Sequence, residues 1–161
     1  MLLRNLCILV LLFSSFSSFA IRNDDKVDLS NIEKSLQDLQ ESQQQSQDSM
    51  HYVRSMDGSQ YVPEPKSSRD NPAYSYFILE SYEIYSSQSG KRMVQATVTN
   101  HSGGGVILKP SQIKAFFGND KYISPTRIDQ DGRFAQDETK SVTLYFGKTN
   151  ESILGLMTRS Y

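Results

Sequence analysis

The sequence predicts an all-β domain over residues 74–161, an antiparallel β-sandwich or small barrel, behind a polar N-terminal extension. Six or seven short runs of β-branched and aromatic residues follow one another, with a turn signal about every ten residues. Apolar and polar residues alternate with period two in Met93–Thr99 and in Val142–Phe146, as in half-buried strands. No convincing amphipathic helical pattern interrupts these runs, so we expect sheets to pack on sheets.

The first twenty residues have the composition of a secretory signal peptide. Arg4 precedes an apolar stretch from Leu6 to Phe13, and Ser18–Ala20 provide a small-x-small cleavage site. Because a spanning helix needs about 17 apolar residues or more, we expect removal of residues 1–20 and no stable transmembrane span. The only cysteine, Cys7, leaves with this segment. The mature chain is therefore predicted to be exported without disulfides, to the periplasm or the extracellular space, which favours a bacterial envelope setting.

Residues 21–56 are rich in Gln, Ser and Asp and form the predicted extension. Ser30–Glu33 fits the capping box S-x-x-E, which predicts a helix start. Apolar residues then follow steps of three and four, the spacing of a heptad seam. Two interpretations stay open: a short oligomerising coiled coil, or a solvated tether that is only partly helical. The seam comprises Leu29, Ile32, Leu36, Leu39, Gln43, Ser46, Met50 and Val53, of which the first four are the candidate partner-binding residues.

Residues 57–73 contain three prolines and several turn formers, which predicts a linker. Gly118–Asp120 is a turn signal between two short apolar runs. Beyond the aromatic run at 74–85, the predicted strands are Met93–Thr99, Val106–Leu108, Ile113–Phe117, Lys121–Ser124, Val142–Phe146 and Ile153–Thr158.

Three consecutive glycines, Gly103–Gly105, follow a His-Ser pair. A phosphate-binding loop needs a helix after its glycines, because helix-terminal amides hold the phosphate. Here the glycines are followed by Val106–Pro110, an apolar run stopped by proline. The run is therefore predicted to be a turn between strands, with glycines that permit positive φ.

The chain lacks most of the residues and motifs that enzymes use for catalysis. After removal of Cys7 it has no cysteine, and its only histidines are His51 in the extension and His101 in the glycine loop. No G-x-S-x-G sequence is present, and a histidine beside Ser102 in a loop has no evident third group to orient it. We predict a protein that is not an enzyme and has no cofactor.

The net charge and the spacing of acidic residues bear on nucleic acid and metal binding. Removal of Arg4 leaves 16 of 17 basic residues against 18 acidic ones, a formal charge near −2, so no nucleic acid partner is expected. The candidate calcium ligands Asp129, Asp131 and Glu138 occupy the third, fifth and twelfth places of a calcium loop. Its first place holds Arg127, where a carboxylate is required, and no helices flank it. The alternative is a solvated connection.

The strand order gives a resemblance over residues 74–147. This region resembles the small immunoglobulin-like domains of exported bacterial proteins, the immunoprotective extracellular antigen-like family. Asp137 and Glu138 stand where that family more often has Pro-Gly. The resemblance implies an immunoglobulin-like antiparallel β-sandwich used for binding or as a structural module, with no catalytic residues to transfer. The matching pieces are V-x-x-T-V-x-N ending at Asn100, the Ser/Gly turn, the hairpin Gly118–Tyr122, and the acidic turn Gln136–Thr139 before Val142–Phe146.

Two function classes remain. The first is a non-enzymatic exported module that binds another protein or its own copies through the extension, for example as an accessory component of a bacterial secretion or appendage apparatus. Sheet edges and heptad residues are surfaces that bind partners in this way. The second is a β-sandwich that binds a small ligand or a metal ion at the loops His101–Gly105 and Arg127–Glu138.

Overall fold

The computed structural model describes residues 29–59 and 61–161, so the predicted signal peptide at 1–20 lies outside the described residues. The chain divides into two units, residues 1–40 and 41–161. Helix α1 (Leu29–Asp48) begins in the first unit and ends in the second. Within the described residues, all strands lie in the second unit, together with two single 3₁₀ turns at Ser68–Asp70 and Pro110–Gln112.

The second unit is built from nine strands in two sheets. The five-stranded sheet has the order β1-β3-β4-β8-β7 and is antiparallel throughout. The four-stranded sheet has the order β2-β9-β5-β6, in which only the β2–β9 pair is parallel. The strands are β1 (His51–Asp57), β2 (Tyr74–Ser75), β3 (Phe77–Ser86), β4 (Lys91–Asn100), β5 (Ile113–Phe116), β6 (Tyr122–Ile123), β7 (Arg127–Asp129), β8 (Thr139–Lys148) and β9 (Gly155–Ser160).

Period-two alternation places one face of each long strand in a shared core, which confirms the predicted β-rich architecture. In β4, Val94, Ala96 and Val98 are buried, as their spacing predicts. In β8, alternate residues from Val142 to Phe146 are buried in the same way. Residues of the four-stranded sheet join this cluster, including Ile113 of β5. Each fully buried aliphatic or aromatic side chain contributes about 1.5–3 kcal/mol, so this cluster is the main source of stability.

One buried polar group connects the two sheets. The Tyr82 hydroxyl of β3 accepts a hydrogen bond from the Leu156 N–H of β9 at 3.0 Å. It also contacts the Met56 sulfur of β1 at 3.3 Å. Burial raises the pKa of Tyr82, so its hydroxyl stays neutral between the sheets.

The extension is shorter than the predicted range 21–56. His51–Asp57 forms β1 and pairs with β3 over its whole length, so this segment belongs to the five-stranded sheet. β1 is an edge strand of this sheet, and β3 is its one neighbour among the described strands. Helix α1 ends at Asp48, and Met50 and Val53 therefore lie outside the helical part of the predicted seam.

The predicted linker is packed rather than free. The Gly58 N–H donates to the Glu80 carbonyl at 2.8 Å, and the Pro63 carbonyl accepts from the Tyr122 hydroxyl at 2.8 Å. At its end, the Ala73 N–H donates to the Ser111 carbonyl at 2.7 Å. These bonds attach the segment 57–73 to the strands. In the part of the chain that the structure describes, no helix has the length and hydropathy needed to cross a membrane.

Candidate functional site

The described part of helix α1 carries an exposed apolar stripe. Ile32, Leu36 and Leu39 are 46%, 56% and 60% exposed. Their spacing of four and three places them on one face of the helix. Leu29, the remaining candidate of the predicted seam, is the first residue of the helix. Three large exposed apolar side chains in one row are unusual for a solvated helix, which makes this stripe a candidate contact surface.

The three candidate calcium ligands are not brought together. The Asp129 carboxylate pairs with Arg127 at 3.1 Å, and the Glu138 carboxylate pairs with Lys140 at 3.2 Å. Asp131 uses its backbone carbonyl, which accepts from Lys140 Nζ at 3.0 Å. Within residues 29–59 and 61–161, no three His, Cys, Asp or Glu side chains form a group that could hold a metal ion.

Glu138 instead closes a turn. Its carboxylate accepts a hydrogen bond from the Ala135 N–H at 2.6 Å. This bond, reinforced by Lys140, holds the pKa of Glu138 below its ordinary value. Asp137 within the same turn has a positive φ of 53°. The acidic residues at 137–138 therefore have a structural role in this turn.

The glycine loop packs against that turn through Asn100, which is fully buried. The Asn100 side-chain amide donates to the Ala135 carbonyl at 2.8 Å, and its carbonyl accepts from the Ser102 N–H at 2.9 Å. Gly104 has a φ of +94°, and a Cβ there would lie 2.9 Å from the Gln136 backbone nitrogen. The glycines thus permit a close approach of two backbones. The predicted strand Val106–Leu108 does not form, since Val106 makes only an isolated bridge to Phe134, so the loop does not join two strands as predicted.

The only His-carboxylate pair in this loop is exposed, as far as the described residues show. His101 Nδ1 lies 3.2 Å from Asp137 Oδ1 at the surface. The Ser102 hydroxyl accepts a hydrogen bond from the Gly104 N–H at 3.3 Å, which is a local turn contact. This geometry gives Ser102 no oriented base in the arrangement that nucleophilic catalysis uses.

A second exposed surface is aromatic. Tyr161 stacks on Tyr74 with ring centroids 5.3 Å apart and lies 4.8 Å from Tyr76. The Arg159 guanidinium lies 3.9 Å from the Tyr74 ring centroid. All three tyrosines are exposed and border a groove of about 450 Å³. The parallel β2–β9 pairing creates this tyrosine patch, and no local sequence pattern predicts that pairing.

A third feature lies on the outer face of the five-stranded sheet, where one residue from each strand falls in a single cross-strand row. The row consists of Tyr52, Tyr85, Met93, Tyr145 and Arg127. Tyr145 is opposite both Met93 and Arg127, and the Arg127 guanidinium lies 4.1 Å from the Tyr145 ring centroid. Met93 is also opposite Tyr85, which contacts Tyr52 edge-to-face at 6.0 Å. The alternation in β8 already indicates an outward Tyr145, but the row itself depends on strand register.

Comparisons with protein-family models, with curated proteins and with solved structures find no significant match to this chain. The resemblance to immunoglobulin-like exported domains therefore remains an interpretation of the sequence pattern. The function has to be inferred from the surfaces above, namely the stripe on α1, the tyrosine patch and the cross-strand row.

Proposed function

We propose that this chain is an exported, non-enzymatic protein-interaction module in which helix α1 pairs with the same helix of a second copy. The carrying observation is the stripe of Ile32, Leu36 and Leu39, which is exposed on one face of α1. Short helices are marginally stable in water, and most helical stability in proteins comes from packing an apolar face. Pairing two stripes would bury these side chains and stabilise both helices.

The residues beside the stripe favour pairing between identical helices. In the heptad frame of the stripe, the flanking positions are Ser35 and Ser42 on one side and Glu33 and Gln40 on the other. Charged residues at such positions normally select partners and orientation. Here only Glu33 is charged, so like-charge repulsion between identical helices is small.

The tyrosine patch supports an interaction role independently of α1. Tyr and Arg are enriched at protein interfaces, because their large, rigid side chains combine apolar contact with hydrogen bonding. Tyr74, Tyr76 and Arg159 form such a surface in the second unit. A module with two contact surfaces suits an accessory component of a bacterial envelope assembly, such as a secretion or appendage apparatus.

We also propose that the two sheets form an immunoglobulin-like sandwich. The order β3-β4-β8-β7 matches the A-B-E-D order of immunoglobulin domains, and β9-β5-β6 matches F-C-C′. Beside β9, the position of strand G is taken by β2 in parallel orientation, and β1 adds a strand next to β3. A crystal structure with the sheets crossing at about −30° supports this assignment, whereas orthogonal sheets contradict it.

Self-association is tested by placing charge in the stripe. The double variant Leu36→Glu/Leu39→Glu is expected to weaken the dimer at least about tenfold, because each buried Leu contributes about 1.5–3 kcal/mol. Sedimentation equilibrium of the mature chain measures the dissociation constant. The matched control Gln44→Glu/Gln45→Glu adds the same charge at helix positions outside the stripe and should leave the dimer intact. A wild-type chain that stays monomeric at about 100 µM contradicts the proposal.

Export is tested separately. When the full chain is produced in a Gram-negative host, we expect a mature protein that begins at Ile21 and is found outside the cytoplasm, because Ser18–Ala20 fits a signal-peptidase site. Cell fractionation followed by intact-mass measurement gives the position of the new N-terminus. A full-length chain that retains Met1 in the cytoplasmic fraction shows that the segment is not an export signal.

A further inference from the structure

Three residues of the cross-strand row, Met93, Tyr145 and Arg127, line a groove of about 510 Å³ in the second unit. Met93 and Tyr145, directly opposite each other on β4 and β8, line it together with Met50. Ligand-binding pockets have volumes of about 300–1,000 Å³ and are mostly apolar with a few polar groups. The size and lining of this groove fall within that class.

The adjacent row of the same face is polar. The next cross-strand row on the outer face consists of polar residues, among them Glu83, Gln95 and Thr143. The outer face is thus polar in one row and carries aromatic and thioether side chains in the adjacent row. Packing in the core does not explain this difference. Methionine side chains adapt to varied apolar surfaces, and tyrosine rings offer rigid ones.

The walls of the groove are positively charged. Lys91, Arg92, Arg127 and Lys148 line it against one carboxylate, Asp48, so four positive charges minus one negative leave +3. The whole chain has a formal net charge of −1. The groove is therefore a local concentration of positive charge on a slightly acidic protein, and it favours an anion.

The protein's carboxylates neutralise only part of this charge, since Asp48 pairs with Lys91 and Asp129, outside the lining, pairs with Arg127. Asp48 accepts hydrogen bonds from Lys91, at 2.8 Å, and from Ser89, and both lower the pKa of Asp48. The Arg92 guanidinium donates only to backbone carbonyls, including that of Glu151 at 2.8 Å. Among the described residues, Lys148 has no ion pair within 4.0 Å.

The sheet register adds a second, independent observation. Lys91 and Lys148 are directly opposite on β4 and β8. Like charges at directly opposed positions destabilise a sheet. Asp48 compensates one of the two lysines, and an anion bound at Lys148 would compensate the other.

We propose that this groove binds an organic anion that combines a carboxylate or phosphate group with an apolar chain. The chain lies on Met50, Met93 and Tyr145, and the anionic group lies at Lys148. Such anions occur free in solution or as the headgroups of acidic lipids, and both sources present the same chemistry to the groove. This site is independent of the pairing proposed for α1.

Calorimetric titration with ligands of equal chain length separates the contribution of the anionic group to binding from that of the apolar chain. Octanoate and octyl phosphate are expected to bind at least about tenfold more tightly than 1-octanol, since one paired charge contributes about 1.4 kcal/mol or more. Octylamine, acetate and inorganic phosphate should give no measurable heat. Equal binding of octanoate, 1-octanol and octylamine overturns the proposal, as does the absence of octanoate binding.

Charge variants test whether the anion binds at Lys148. Lys148→Glu is expected to weaken octanoate binding at least about tenfold, because it reverses the charge at the anionic end while allowing an ion pair with Lys91 that preserves the fold. Lys109→Glu, the same change at an exposed lysine outside the groove, should leave binding unchanged. An equal loss in both variants, or no loss in Lys148→Glu, contradicts this location. Co-sedimentation with vesicles identifies the source of the anion. If the protein co-sediments with phosphatidylglycerol vesicles and not with phosphatidylcholine vesicles, the anion is a lipid headgroup. If it binds octanoate but does not co-sediment, the anion is a free organic acid.

Discussion

Replacement of Phe134 by alanine is expected to lower the free energy of unfolding by about 3–5 kcal/mol. Phe134 is fully buried and packs edge-to-face on Phe77 with ring centroids 5.0 Å apart. Its N–H donates to the Val106 carbonyl at 2.7 Å, and its carbonyl accepts from the Val106 N–H at 3.2 Å. Because the backbone is held on both sides, it cannot collapse into the space that the ring leaves, and the cavity persists.

Urea unfolding followed by far-ultraviolet circular dichroism measures this loss. Phe134→Leu keeps most of the side-chain volume, so the free energy of unfolding should fall by clearly less, about 1–1.5 kcal/mol. Tyr161→Ala removes an aromatic ring that is 77% exposed and should stay within about 0.5 kcal/mol of the wild type. If Phe134→Ala and Tyr161→Ala have equal effects, Phe134 does not belong to the shared core.

The long strands could be predicted because their signal is local. In β8, Val142, Leu144 and Phe146 are buried and alternate with half-buried outward residues, and this pattern needs no knowledge of the partner strand. The turn at Gly118–Asp120 was predicted on the same basis. Its three residues all have positive φ, a conformation for which Gly, Asn and Asp pay the smallest steric penalty.

Phe134 could not be assigned to the core from the sequence. It lies among charged and polar residues in a segment predicted to be a solvated connection, and a single aromatic residue has no periodicity. Its burial depends on the backbone bridge to Val106, 28 residues earlier in the chain. A local pattern therefore predicts the long strands but not the loop residues that close the core between them.

Strand β1 and the groove were missed for a related reason. Most β1 residues are exposed, so the strand lacks clear alternation and its heptad-like spacing suggested a continued seam. Its pairing with β3 is a long-range interaction. The cross-strand row likewise needs the register of five strands, and a shift of one residue would turn Met93 and Tyr145 to the opposite face.

The three consecutive glycines are expected to differ strongly in their tolerance of alanine. Gly104→Ala should lower the free energy of unfolding by about 2–3 kcal/mol, because alanine is strained at a φ of +94° and its Cβ would lie 2.9 Å from the Gln136 backbone nitrogen. Gly105→Ala should lose about 1 kcal/mol, since its φ is +70° but its Cβ would meet no atom within 4 Å. Gly103 has neither constraint, and Gly103→Ala should be neutral or stabilise slightly, by up to about 0.5 kcal/mol.

Urea unfolding of the three single variants tests this order, and each variant serves as a control for its neighbours because the chemical change is identical. If the loop needed only flexibility, alanine would lower the free energy of unfolding by similar amounts at all three positions. A phosphate cradle would lose ligand affinity rather than stability. The predicted order arises only if Gly104 allows the backbone to approach the Ala135–Glu138 turn, which Asn100 joins to the glycine loop and which the Glu138 carboxylate closes.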